Sequence, residues 1–220
     1  AHSATAAMSP DDVDWDHLFG DLGARWFHTG GIFAGLSPAT FHTAQVAIEA
    51  ARRHGTVVSY DVNYRPSLWR ASGGPEAHRR LTTELVDLVD VLFGVDAATF
   101  DDDVGHFTSS SSALAVVATT HRTGRSASVQ DWTGIAWSRE TGRLDGTVYE
   151  RLQVLDRVGS GDACAAGVIH GALTARSLGE SLELGIAHGA LVMTTPGDTS
   201  SADANDVDDL ALGRDAGVVR

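Results

Sequence analysis

Leu155-Asp156-Arg157-Val158-Gly159-Ser160-Gly161-Asp162-Ala163-Cys164-Ala165-Ala166-Gly167 joins a strand-like segment to a long helical one. Gly159 and Gly161 permit a tight turn and let the backbone come close to a ligand. The N–H groups that open the helix face that turn, and the helix dipole adds positive potential. Such a nest suits a phosphate group that acquires charge during reaction. Asp162 stands at its mouth, where a carboxylate can accept a proton from an attacking hydroxyl. The same residue also reads as a plain helix cap behind a glycine turn, and spacing alone leaves both readings open. The stretch holds neither a Walker A loop nor a GxGxxG fingerprint.

Outward from this turn, strands alternate with helices. Residues 25–31 read as a strand running into Gly30-Gly31, and Ser37-Pro38 opens a helix that Gly55 closes. Residues 56–62 form a β-branched strand. A loop with Arg65-Pro66 and Gly73-Gly74-Pro75 leads to a helix over 76–88 and a strand over 89–93. Residues 101–112 turn acidic and then serine-rich, which reads as a flexible connector. Strand pieces are expected at 114–119, 126–130, 134–138 and 147–154. Helices are expected over 162–175, 179–193 and within 204–212. This alternation predicts an α/β fold with a mostly parallel sheet covered on both faces. With no repeat and no linker, residues 1–220 read as a single α/β domain.

Composition narrows the class. The chain has 220 residues, a formal charge of −13 and 43 % apolar residues, enough for a substantial core. Its sixteen basic residues are all Arg, and Asp outnumbers Glu. This balance disfavours nucleic acid and anionic membrane as partners, since each calls for a basic face. A GC-rich genome or adaptation to high salt explains the missing Lys, and the many small apolar residues favour the first. Cys164 is the single cysteine, so no internal disulfide forms, which fits a reducing, cytoplasmic setting. No run approaches the roughly eighteen apolar residues that span a bilayer. A homo-oligomer stays open.

The stretch Asp156-Arg157-Val158-Gly159-Ser160-Gly161-Asp162 closely resembles the D-x-x-G-A-G-D signature of the ribokinase-like (PfkB) carbohydrate kinases. Asp61-Val62-Asn63-Tyr64-Arg65-Pro66-Ser67-Leu68-Trp69 resembles the D-x-N-x-R-x-x-L-W stretch of the 2-keto-3-deoxygluconate kinase branch. Residues 26–32, 117–120, 187–191 and 193–200 are similar to the same branch. The resemblance implies a three-layer ribokinase-like fold and ATP-dependent phosphorylation of a sugar acid, with ATP and Mg²⁺ as cofactors. It implies Asp162 as the base that activates the sugar hydroxyl, and Gly159, Ser160 and Gly161 as the anion hole for the transferred phosphoryl. Arg65 matches an arginine that binds the acidic sugar's carboxylate, and its planar fork suits that group. Its plain reading is a surface arginine that steadies a loop.

Asn63 is expected to face the same cleft, at the carboxyl end of a parallel strand. Thr119 matches a nucleotide-phosphate strand end. His188 and the loop with Gly197 match the region around the adenine, although His188 also reads as a packed helix histidine and Asp198 as a turn former. The five tryptophans read as core or edge residues.

Two departures from the family pattern stand out. Val95-Asp96-Ala97-Ala98 occupies the place of an N-x-x-E segment that organises Mg²⁺ and phosphates, so the metal ligands are unknown. Asp96 and Asp101 to Asp103 offer only partial substitutes. The chain also opens at Ala1-His2-Ser3 without an initiator and reads as the C-terminal two-thirds of such a kinase. The N-terminal strands, the β lid over the sugar and the first glycine-rich signature are expected to be missing. The alternative expectation is therefore an impaired or inactive ribokinase-fold protein that binds nucleotide, sugar or a partner chain. Fructose or a nucleoside as substrate fits Arg65 less well.

Overall fold

A computed structural model describes residues 3–70, 73–126, 128–197 and 199–213. The chain divides into two compact units, Ala1–Val117 and Ala118–Arg220.

The first unit carries β1 (Trp26–Gly30), α1 (Gly31–Ala34), α2 (Pro38–Arg53), β2 (Val57–Asp61), α3 (Pro66–Trp69), α4 (Gly74–Val86), β3 (Val91–Phe93) and α5 (Phe100–Ser110). The strands β1, β2 and β3 pair in parallel, with Gly30 opposite Asp61 and Asp61 opposite Phe93. β2 is buried along most of its length, as a parallel strand covered on both faces must be. The start of α2 follows from its sequence: Ser37 accepts the Thr40 N–H at 3.1 Å and Pro38 occupies the first turn. Its Ala44, Ala47, Ile48 and Ala51 are buried, and Gly55 ends it with φ of +74°.

The expected connector over 101–112 is instead the helix α5. Phe100, Val104 and Phe107 recur at helical spacing and are buried, and Asp101, Asp102 and Asp103 lie in its first turn, where the dipole favours acids. Local polarity concealed a three-residue apolar stripe.

β4 (Val116–Gly124) begins at the boundary of the units. The second unit continues with β5 (Val129–Ser138), β6 (Gly142–Asp145), β7 (Tyr149–Gln153), α6 (Ser160–Leu173), α7 (Leu178–Met193) and α8 (Ala204–Ala211). β5 pairs antiparallel with both β6 and β7. It is one strand where two pieces were expected. Gly134 does not interrupt it; a Cβ there would press within 3.2 Å of Leu182 and 3.0 Å of Ile186 from α7. Trp132, fully buried, donates to the Ile186 carbonyl at 2.8 Å and pins α7 to the same strand.

Helices α6 and α7 meet through glycine. A Cβ on Gly167 would lie 2.7 Å from the Gly185 backbone, and one on Gly171 would strike Ser181. Gly167 and Gly171 therefore serve close packing of α6 on α7. Among the described residues, no helix is long and apolar enough to cross a membrane.

Candidate active site

In the second unit the chain leaves β7 and is held to the end of α7 by the Leu155 N–H, which donates to the Met193 carbonyl at 2.8 Å. Asp156 then closes a turn: its Oδ1 accepts the Val158 N–H at 3.0 Å. The N–H groups of Arg157 and Gly197 also reach this carboxylate, and together they hold it below the usual carboxylate range. Gly197, at φ of +92°, needs a glycine's freedom to present its N–H this way.

Gly159 is the N-cap of α6, with φ of +81° and no side-chain cap bond. Asp162 is thus not the cap of this helix; it is the third helical residue, its side chain exposed. Among the described residues no group bonds or pairs with its carboxylate. Ser160 is 3 % exposed and donates its hydroxyl to the Arg157 carbonyl at 3.0 Å, which locks the turn from inside. The first N–H groups of a helix have no intrahelical acceptor. Here the Ser160 N–H turns back to the Arg157 carbonyl at 3.5 Å, and the open position is Gly161, where a Cβ would meet nothing within 4 Å. No packing among the described residues requires glycine at 161, so the bare backbone leaves room for a ligand to approach.

His188 lies on α7. Its Nε2 is 3.0 Å from the Ser200 hydroxyl, and its ring also bonds the Ala163 carbonyl in the first turn of α6. Burial pushes the imidazole below its ordinary pKa, so it is neutral near pH 7. Both of its partners are protein groups, and it works as a strut between α7, α6 and the 194–200 loop. Thr119 is 5 % exposed and lies inside β4, which continues to Gly124, so the strand does not end there as expected. Asp198 lies outside the described residues.

In the first unit, the buried Asp61 ends β2 and its Oδ1 accepts the Asn63 N–H at 3.0 Å. That bond holds Asn63 at φ of +37°, an uncommon conformation for a residue with a side chain. Gly94, at φ of +75°, makes space for the same carboxylate, which sits where its Cβ would be. Arg65 is exposed, and among the described residues its side chain makes one hydrogen bond, at 3.5 Å to the Tyr64 carbonyl beside it. Among the described residues it meets no carboxylate, whereas Arg53, Arg125 and Arg176 each reach one within 2.8 Å. A contact that weak does not hold a loop.

The departure at 95–98 is equally concrete. Val95 is buried, and Asp96 accepts the Ala98 N–H at 2.9 Å as the cap of a short 3₁₀ turn. Asp103 accepts the Thr99 hydroxyl at 2.8 Å. Among the described residues no three His, Cys, Asp or Glu side chains gather as a metal site.

The second unit thus brings Asp156, the Gly159–Asp162 turn, His188 and Gly197 into one bonded cluster, while the first holds Asn63 and Arg65 on one loop. Sequence reasoning missed the organising role of Asp156. Its signal was the Asp-x-Val spacing, which lets a carboxylate bond an N–H two residues on.

The family profile described as "pfkB family carbohydrate kinase" matches residues 24–205, through both units, and the chain belongs to that family. It is 28 % identical over 234 residues to the 2-dehydro-3-deoxygalactonokinase of Haloferax volcanii, covering 100 % of this chain and 66 % of that one. It is 25 % identical over 187 residues to the 5-dehydro-2-deoxygluconokinase of Geobacillus kaustophilus, covering 82 % of this chain and 52 % of that one. The crystal structure of 2-dehydro-3-deoxygluconokinase from Thermotoga maritima superposes with a TM-score of 0.83 at 26 % identity, covering 97 % of this chain and 68 % of that one. The fold is accordingly the mixed α/β ribokinase-like fold, with a mostly parallel central sheet. The chain spans about half to two thirds of the length of these curated relatives.

Proposed function

We propose that the chain transfers the γ-phosphoryl of ATP to a hydroxyl of a sugar acid, 2-keto-3-deoxygluconate being the favoured substrate. The observation that carries this reading is the turn at Gly159–Asp162: bare backbone at Gly161 beside an exposed, unengaged carboxylate at Asp162. In this reading Asp162 takes the proton of the attacking sugar hydroxyl as its oxygen bonds to phosphorus, and ADP leaves. The N–H groups of Gly159 and Gly161 face the charge that builds on the transferred phosphoryl oxygens, and Ser160, whose N–H turns to the Arg157 carbonyl, would join them only by releasing that 3.5 Å bond. Asp156 holds that turn and Gly197 together, His188 braces the helix start, and Thr119 is assigned to the nucleotide side. Asn63 and Arg65 are assigned to the sugar, Arg65 by pairing with its carboxylate. The relatives named for deoxy sugar-acid kinases support an acidic substrate.

ATP carries phosphate oxygens that would hold Mg²⁺ with water, and among the described residues no three His, Cys, Asp or Glu side chains gather to cage it. A second reading, a binding protein without turnover, is favoured by one observation: Asp96 is spent as a cap and Val95 is buried where metal-organising side chains were expected. Coupled measurement of ADP release with 2-keto-3-deoxygluconate decides between them. Activity that falls roughly a hundredfold or more in Asp162→Asn supports the first. Binding of ATP or sugar acid by calorimetry without turnover supports the second, and equal activity in Asp162→Asn overturns the assigned base.

A further inference from the structure

His78 lies on α4 and is 8 % exposed, and no part of the proposed chemistry uses it. Its Nε2 is 3.3 Å from the Val62 carbonyl and 3.4 Å from the Thr82 hydroxyl one turn further along. That hydroxyl bonds in turn to the phenol of Tyr60, which is 1 % exposed in β2. The imidazole is enclosed by two rings of the same loop it bonds: Tyr64, with centroids 4.7 Å apart, and Trp69, edge-on at 5.0 Å. Burial favours the neutral ring. A carbonyl only accepts, so the Nε2 carries the hydrogen.

Val62 immediately precedes Asn63. The segment 62–65 is therefore gripped twice, by the Asp61 carboxylate on the Asn63 N–H and by His78 on the Val62 carbonyl. Between these grips Asn63 keeps its left-handed backbone, and Arg65 follows two residues later with, among the described residues, no side-chain tether beyond Tyr64. An arginine that has no partner to order it depends on its backbone for aim. A ligand carboxylate then gains affinity when that backbone is fixed before binding, because less freedom is lost on binding.

We propose that His78 is a positioning residue for sugar-acid recognition: through the Val62 carbonyl it fixes the loop that presents Asn63 and Arg65. This rests on the sugar-acid reading above. His78 touches no substrate, and its effect is on affinity and loop order, not on the proton transfer.

His78→Phe keeps a ring between Tyr64 and Trp69 and removes the bond to the Val62 carbonyl together with the contact to the Thr82 hydroxyl. His78→Gln restores an amide N–H at a similar reach, and His78→Asn places one too short for Val62. The expected result is a roughly five- to tenfold higher Kd for 2-keto-3-deoxygluconate in His78→Phe and His78→Asn, with recovery in His78→Gln. The kcat at saturating sugar should stay within about twofold, as a KM-side effect requires. In the ligand-free protein, amide exchange over 63–68 should quicken in the same two variants and not in α2. Unchanged exchange in a folded variant, or an unchanged Kd where the parent protein binds, overturns the proposal. A parent protein that binds no sugar acid overturns the substrate reading instead, and the ligand-free exchange still decides whether His78 grips the loop.

Discussion

The Asp156 carboxylate accepts the backbone N–H of Val158 at 3.0 Å, and the same side chain receives Gly197 from a loop some forty residues later. One carboxylate thereby fixes both the turn that opens α6 and the left-handed glycine beside it. Neither partner offers a side chain for the task, so the link depends wholly on an acceptor at position 156.

Asp156→Asn removes the charge and halves the acceptor capacity while keeping the shape. Three backbone donors lose a charged acceptor, and kcat/KM for ATP-dependent phosphorylation should fall roughly tenfold. Steady-state kinetics with ATP varied is the measurement. Because the folded carboxylate is held below its unfolded pKa, the bonds persist above about pH 4 and weaken only as the pH falls further. A loss of activity already visible between pH 8 and 6 would point to a different group.

Gly161→Ala separates packing from function. A Cβ at 161 meets nothing within 4 Å, and φ there is not left-handed, so the fold should tolerate it. Alanine should raise stability slightly, by up to about 1 kcal/mol, because glycine loses more freedom in a helix. If a phosphoryl group approaches this backbone, the added methyl blocks it, and kcat should drop at least roughly tenfold. Thermal unfolding and turnover are read together. A stable variant with full activity removes the anion-hole assignment.

Arg65→Ala should raise the KM for a sugar acid by roughly one to two orders of magnitude, since a charge-assisted bidentate contact is lost. The kcat should change far less. Because the Arg65 side chain makes, among the described residues, only the 3.5 Å contact to Tyr64, its removal should leave the unfolding midpoint within the scatter expected of an exposed site. Arg65→Lys should recover only part of the affinity, because an ammonium does not match a planar carboxylate with two parallel bonds. A neutral sugar such as fructose should be indifferent to both changes. Competition between the two sugars, measured in the parent and in Arg65→Ala, tests the preference for an acid.

These particulars show why parts of the molecule were legible in the sequence and others were not. Ser37-Pro38 announced α2 because both of its start signals act within one turn, and Gly159-Ser160-Gly161-Asp162 announced its turn for the same reason. The helix over 100–110 stayed hidden because its stripe of Phe100, Val104 and Phe107 is thin, and acids and serines cover the rest. β5 was expected as two pieces because what requires a glycine at 134 in an unbroken strand, the side chains of Leu182 and Ile186, lies about fifty residues away. His78 is the same case in the candidate site. Nothing adjacent to it signals a role, since its partner is a carbonyl sixteen residues earlier.

His78 and His188 share one physical state, and it sets a pH dependence. Burial lowers the pKa of both imidazoles, and each accepts or donates in its neutral form, to Val62 and Thr82 in one case and to Ala163 and Ser200 in the other. The unfolded chain binds those protons near pH 6.5, above the folded values. Unfolding is then favoured by acid: the stabilisation is complete above about pH 6.5 and is lost as the pH falls from there through the folded pKa values. Denaturant midpoints should therefore be flat from pH 8 to 7 and decline on further acidification. His188→Gln keeps a polar partner for Ser200 but cannot titrate, so it should flatten part of that decline, and the double variant with His78→Gln should flatten more. An acid limb unchanged in the double variant would assign the loss to the carboxylates.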